Sequence, residues 1–218
     1  MSPERTSNYE KTRDAMEKRF LEYDQERMIR KFGLACDERY FYIPFVGREY
    51  RLDRKTGRIE YETAGTENAT ARGQERTDGR FYAHADFNVS MTIFDVLCDS
   101  KPDCHLAGTF ISLNHLKNVV QNGSLTAKMF AEDAQRFAGQ GERLGRACQR
   151  LGGIPQKVGD VSYQLPLFDF LPVVLQFWDG DEEFDPVLKL MWDANILDYM
   201  RYETTFYAAS HLLERLDE

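Results

Sequence analysis

The sequence predicts an α+β protein, an antiparallel sheet covered by helices, with an N-terminal helix and a small β-meander before it. Three observations carry that expectation. Residues 160–192 trade helical spacing for alternation and short apolar runs, residues 40–61 are strand-prone and cut by glycine turns, and several other segments repeat apolar residues at three and four.

From Tyr9 to about Phe32, Ala15, Met16, Phe20, Tyr23, Met28 and Ile29 recur at three-to-five spacing among charges of both signs. That pattern reads as one surface helix with a narrow buried stripe, stopped by Gly33. The run Tyr40–Val46, then Glu49–Asp53 and Arg58–Tyr61, gives strands separated at Gly47 and Gly57, a small antiparallel meander. Residues 63–79 hold almost nothing that could be buried and read as a mobile loop. Asp86 stands as an N-cap before Phe87, Met91, Phe94, Leu97 and Cys98 at helical spacing. A second helix spans 124–138, and a third carries Leu144, Cys148 and Leu151 and ends at Gly152-Gly153. Val161–Leu165, Pro172–Trp178 and Val187–Trp192 then read as strands, and Tyr199, Tyr202, Phe206, Ala209, Leu213 and Leu216 place a long amphipathic helix over 199–216. The 62 residues before the 63–79 loop are few for an independent core, so a single domain over 1–218 is expected.

Composition narrows the function classes. No apolar run approaches the roughly 18–20 residues of a membrane-spanning helix, and the first residues are polar where a secretory signal would be apolar. A cytoplasmic location without membrane attachment is the expectation. The net charge is −8, and residues 160–218 carry three basic against thirteen acidic side chains, a poor balance for displacing counterions from phosphates. Nucleic acid is therefore not an expected partner. Cys36, Cys98, Cys104 and Cys148 are too scattered for a disulfide framework and read as free thiols.

Candidate sites follow from residue type and spacing. Asp179, Asp181, Glu182, Glu183 and Asp185 concentrate five carboxylates in seven residues, but Phe184 and Leu190 occupy the places where a calcium loop needs glycine and glutamate. This stretch reads as a solvated turn. Cys98, Cys104, His105 and His115 lack the two-to-four-residue knuckle spacing of zinc ligands, so no metal site is assigned. Asp103-Cys104-His105 resembles a loop in which an imidazole assists a thiol, and His84 stands two residues before Asp86, making His84, Asp86 and Cys104 the candidate catalytic groups.

Gly152-Gly153, Gly159-Asp160-Val161-Ser162, Leu165-Pro166, Val173–Trp178, Gly180–Phe184 and Met191-Trp192-Asp193 ahead of Glu203 form an ordered pattern. In that pattern the chain resembles the bacterial domain-of-unknown-function family 3786, across roughly residues 81–218 and more weakly before. The resemblance implies an anaerobic context and no mechanism. Some members of that family look fused to a cysteine-rich iron–sulfur segment, whereas the four cysteines here are not closely spaced. No cofactor is named.

Aromatic residues concentrate in the last 60 residues, among them Tyr163, Phe168, Phe170, Trp178 and Trp192. The preferred functional reading is a small-ligand or cofactor-binding accessory protein of anaerobic metabolism. Its expected ligand-binding residues are Trp178, Asp181, Glu183, Trp192, Asp193, Tyr199 and Glu203. An enzyme using carboxylate and histidine acid–base chemistry, and a protein–protein interaction module, remain as alternatives.

Overall fold

The computed structural model describes residues 7–64, 75–77, 79–116 and 130–218. Helices α1 (Asn8–Phe20) and α2 (Gln25–Phe32) replace the single expected helix. The break has a local cause: Asp24 is an N-cap whose carboxylate accepts the Arg27 N–H at 3.0 Å, so a new helix starts just after Leu21–Tyr23 closes the first.

The first sheet is built from β1 (Ala35–Cys36), β2 (Tyr40–Phe45), β3 (Arg48–Asp53), β4 (Ile59–Thr63), β5 (Glu75–Thr77) and β6 (Arg80–His84). All its pairings are antiparallel, in the order β1-β2-β3-β4-β6-β5. The described end of the expected 63–79 loop is therefore strand, and residues 65–74 and 78 of it lie outside the described residues. The β2–β3 hairpin turns on Val46 and Gly47, both at positive φ (47° and 67°). Two-residue hairpins with that twist favour glycine or asparagine, and a β-branched residue there is strained. Tertiary contacts hold it, because the Val46 N–H donates to Leu167 O at 2.8 Å and Val46 is 1% exposed.

Helix α3 (Phe87–Phe94) starts at the Asp86 cap and runs into a π-turn, Asp95–Asp99. After β7 (Phe110–Ser112) and a 3₁₀ turn (Leu113–His115), α4 (Ala131–Phe137) is the described part of the helix expected over 124–138; residues 117–129 lie outside the described residues. Helix α5 (Gly141–Arg150) follows, and Gly152 reverses the chain at φ +79°.

The second sheet contains β7, β8 (Ile154–Pro155), β9 (Val161–Phe168), β10 (Leu171–Trp178) and β11 (Val187–Asp193), ordered β7-β11-β10-β9-β8. Its register makes one face of the expected 160–192 meander apolar. Leu165, Val173 and Trp192 form one row, Tyr163, Leu175 and Leu190 the next, and Val161, Phe177 and Leu188 a third. Six of these nine side chains are 3% exposed or less, and each such burial contributes about 1.5–3 kcal/mol. The 40–61 meander thus forms a sheet of its own beside the second, and the fold is α+β with antiparallel sheets.

Short α6 (Ile196–Tyr199) precedes α7 (Tyr202–Asp217), which packs on α3 and α5. Its buried stripe of Thr204, Thr205, Ala208, His211, Leu212 and Leu216 is the core-facing side of the expected amphipathic helix. One hydrophobic cluster runs from Met16 and Phe41 through both sheets to Leu216. Within it, stacked rings form a column from Phe32 to Phe170 (4.4 Å), Phe168 (5.2 Å), Phe45 (4.7 Å) and His211 (5.3 Å). The column ends on the one ionisable ring it contains.

Candidate functional site

Helical spacing places His211 on the buried stripe of α7 and Glu214, three residues on, at the edge of that stripe where it meets water. His211 is 3% exposed, stacked on Phe45, and its Nε2 lies 3.1 Å from the Tyr50 hydroxyl of β3. Its other nitrogen, Nδ1, is buried without a hydrogen-bond partner among the described residues, and the nearest carboxylate oxygen on its own helix, Glu214 Oε2, stands 3.9 Å away. Asp86 arrives from a third element. One of its oxygens caps α3 by accepting the Val89 N–H at 2.9 Å, and Asp86, His211 and Glu214 each present an atom within 4.8 Å of the others'.

Burial dominates the electrostatics. It lowers the His211 pKa to about 4, Asp86 opposing and the guanidinium groups of Arg48 and Arg215 assisting, so the imidazole is neutral at pH 7. Burial likewise pushes the Tyr50 phenol up to about 12, and it raises Glu214, with the Asp86 charge adding to the rise. The two arginines turn to another acid: Arg48 pairs with Glu218 at 3.4 Å and Arg215 pairs with the same carboxylate. The result is a neutral imidazole, one bare nitrogen and two carboxylates beside a hydroxyl.

A second feature lies at the far sheet. β11 pairs β10 from Val187 to Trp192 but pairs β7 only from Met191 to Asp193, so along Val187–Leu190 one edge faces no described strand. A cavity of about 370 Å³ opens there, bounded by Ser112–His115, Phe130, Gln176 and Val187–Met191. Ser112 Oγ and His115 Nδ1 are 2.8 Å apart on its rim. The Lys189 ammonium lies 4.8 Å from the Trp178 ring, with no carboxylate partner among the described residues. A shallower depression of about 560 Å³ between α5 and β9 is open to solvent and includes the exposed Glu142, Arg146, Gln149, Gln156 and Asp160.

The residues singled out from the sequence are scattered over the fold. His84 Nε2 contacts Glu17 Oε1 at 2.7 Å, while Asp86 joins His211 and Glu214. Cys104 is half-buried beside the Tyr199 hydroxyl, and burial raises the Tyr199 phenol to about 12. Trp192 is fully buried, its indole N–H without a partner among the described residues. Asp193, also buried, ties down a loop by accepting the N–H groups of Ala107 (2.9 Å), Gly108 (2.8 Å) and Asn195 (2.9 Å). Asp181 accepts the Glu183 and Phe184 N–H groups at 2.8 Å within the exposed β10–β11 turn, and Glu183 and Glu203 are exposed. None of this set lines the cavity, and Trp178 lies against Lys189, which does.

Sequence reasoning passed over His211 and Glu214. Their i, i+3 spacing on an amphipathic helix, with a histidine among the stripe's Ala208, Leu212 and Leu216, is the signal that could have found them.

Comparison of the chain with curated proteins and with solved structures gives no match. The family model for a domain of unknown function, DUF3786, matches residues 24–215, and the chain belongs to that family.

Proposed function

We propose that the protein binds a small, partly apolar ligand at the edge of the second sheet along Val187–Leu190, which faces no described strand. The observation that supports this reading is the cavity along Val187–Leu190. Its volume of about 370 Å³ suits a metabolite, and it combines Leu113, Phe130 and Met191 with the convergent polar groups of Lys189, Gln176 and Ser112. The Lys189 ammonium, which has no carboxylate partner among the described residues, favours a ligand bearing a carboxylate or phosphate. On this reading the chain is a cytoplasmic binding or accessory protein of anaerobic metabolism whose partner is a small molecule rather than nucleic acid or membrane. The acidic balance supports that choice, as does the lack of any helix, among the described residues, long and apolar enough to cross a membrane.

A thermal-shift screen with carboxylate and phosphate metabolites and the organic cofactors of anaerobes tests it. A ligand at a hundred times its dissociation constant stabilises by about 2.7 kcal/mol. Lys189→Glu should weaken an anionic ligand, and Met191→Trp should fill the cavity and remove the shift while leaving the fold intact. A hit that survives both substitutions, or a screen without a hit, would overturn the proposal. The alternative, acid–base catalysis, draws its support from the neutral His211 beside Tyr50, Asp86 and Glu214.

A further inference from the structure

We propose that His211 Nδ1, Asp86 and Glu214 bind a divalent transition-metal ion of the Mn²⁺, Fe²⁺ or Zn²⁺ kind. This inference is independent of the cavity at β11.

The argument begins with the orientation of one ring. His211 is fixed on both faces of its chemistry: Phe45 stacks on the ring and the Tyr50 hydroxyl engages Nε2 at 3.1 Å. When Nε2–H donates to that hydroxyl, Nδ1 is left as a lone pair. It is buried and has no hydrogen-bond partner among the described residues, Glu214 Oε2 stands 3.9 Å from it, and His211, Asp86 and Glu214 each offer an atom within 4.8 Å of the others'. Ser210 gives Glu214 one hydrogen bond and Val89 gives Asp86 another, but three acceptors turned toward one another still repel, and a cation relieves that repulsion. Metal-bound histidines characteristically engage their second nitrogen in a hydrogen bond that fixes the ring, the position Tyr50 holds here.

The ligand types select the metal class. One imidazole nitrogen with two carboxylate oxygens suits zinc or the softer divalent ions of the first transition row, whereas calcium and magnesium favour all-oxygen sets. Bond lengths of about 2.0–2.2 Å bring ligand atoms closer together than 4.8 Å. The movement required falls on Asp86 and Glu214, which are exposed, while the buried ring stays in place. Asp86 keeps one oxygen on the Val89 N–H and has its second for the ion. Arg48 and Arg215 oppose positive charge at His211, and their pairing with Glu218 offsets part of that opposition. Three protein ligands leave coordination positions on the solvent side, so the bound ion would carry water or a small anion.

The test uses the full chain freed of metal by chelation. Mn²⁺ binding is followed by loss of the free-ion electron paramagnetic resonance signal, and Zn²⁺ by calorimetry and by displacement of Mn²⁺. One equivalent should bind, and Glu214→Gln and Asp86→Asn should each weaken it by about tenfold or more. Both substitutions are at exposed positions and asparagine retains the α3 cap, so these variants remain informative even where His211→Gln fails to fold. Asp181→Asn, in the acidic turn, should change nothing. Absence of saturable binding at millimolar metal, or affinity that survives both the Glu214 and the Asp86 substitutions, would overturn the site.

Discussion

Asp95 caps α7 from a different element. Its Oδ2 accepts the Arg201 backbone N–H at 2.7 Å and the Thr204 hydroxyl at 2.5 Å, and Arg201 Nε approaches its other oxygen at 3.4 Å. Asp95 is 2% exposed, so the first turn of the helix and the π-turn after α3 share a desolvated carboxylate. Asp95→Ala should destabilise the protein by about 2–4 kcal/mol, since charged hydrogen bonds of this kind are worth about 1.5–3 kcal/mol each and the orphaned donors stay buried. Thr204→Val should cost less. Urea unfolding of both variants measures the difference, and an Asp95→Ala loss under about 0.5 kcal/mol would contradict the assignment.

Gly57 tests how closely the first sheet approaches α1. Its φ is +78°, and a Cβ there would drive into the backbone carbonyl of Glu17. Gly57→Ala should therefore lower stability well beyond the roughly 1 kcal/mol of a left-handed alanine, because backbone rather than a flexible side chain must move. Gly79→Ala, also at positive φ but with nothing among the described residues within 4 Å of the added Cβ, provides the comparison and should cost only the backbone term. Equal losses at the two positions would show that the α1 contact is loose.

The thiols set an alkaline limit to stability. Burial pushes Cys148 up to about 12, and burial with the neighbouring Asp99 charge does the same for Cys98. An unfolded thiol ionises near 8.5, so above that pH the unfolded chain sheds protons that the native chain keeps. The stabilisation is complete below about pH 8.5 and is lost as pH rises, by up to about 1.4 kcal/mol per pH unit for each thiol. Cys148→Val should flatten the slope of stability between roughly pH 8.5 and 10 relative to the parent. Exposed Cys36 should react with thiol reagents in the native protein, while Cys148 waits for unfolding.

The acidic turn should behave as a turn. Asp181 spends one oxygen on two local N–H groups, and Asp179 accepts the Gly139 N–H at 2.9 Å, tying the turn to the α4–α5 junction. Calorimetric titration with Ca²⁺ or Mg²⁺ should give at most millimolar affinity, and Asp181→Asn should leave it unchanged. Micromolar binding abolished by that substitution would assign the turn a ligand role.

The second sheet was legible because its period is local: Val161–Leu165, Pro172–Trp178 and Val187–Trp192 alternate or run apolar within a few residues, and the structure pairs them consecutively. The α3 cap at Asp86 and the stripe of α7 were legible for the same reason. What escaped depends on long-range partners. β7 and β8 are two or three residues long and exist as strands only through β11 and β9. Asp86 was noticed beside His84, its neighbour in sequence, but the groups it meets lie 125 and 128 residues further on. Of the aromatic residues concentrated in the last 60, Phe168 and Trp192 are buried in the core and Phe170 is partly buried against it, and composition cannot tell a ring stacked on another ring from one left open to a ligand.

The Tyr50–His211 contact closes a span of 161 residues, and Val46, four residues from Tyr50, is braced by both Leu167 and Arg215. Closing so long a loop carries an entropic cost before any packing rewards it, and folds dominated by such pairings reach the native state slowly. Hairpins such as β2–β3 and β9–β10 can form early from neighbouring segments. The place where His211, Asp86 and Glu214 meet cannot, since no subset of adjacent elements contains it. It is therefore a late product of folding and an early casualty of partial unfolding, so an amide-exchange experiment should find α7 and the Tyr50 strand losing protection together, as one cooperative unit.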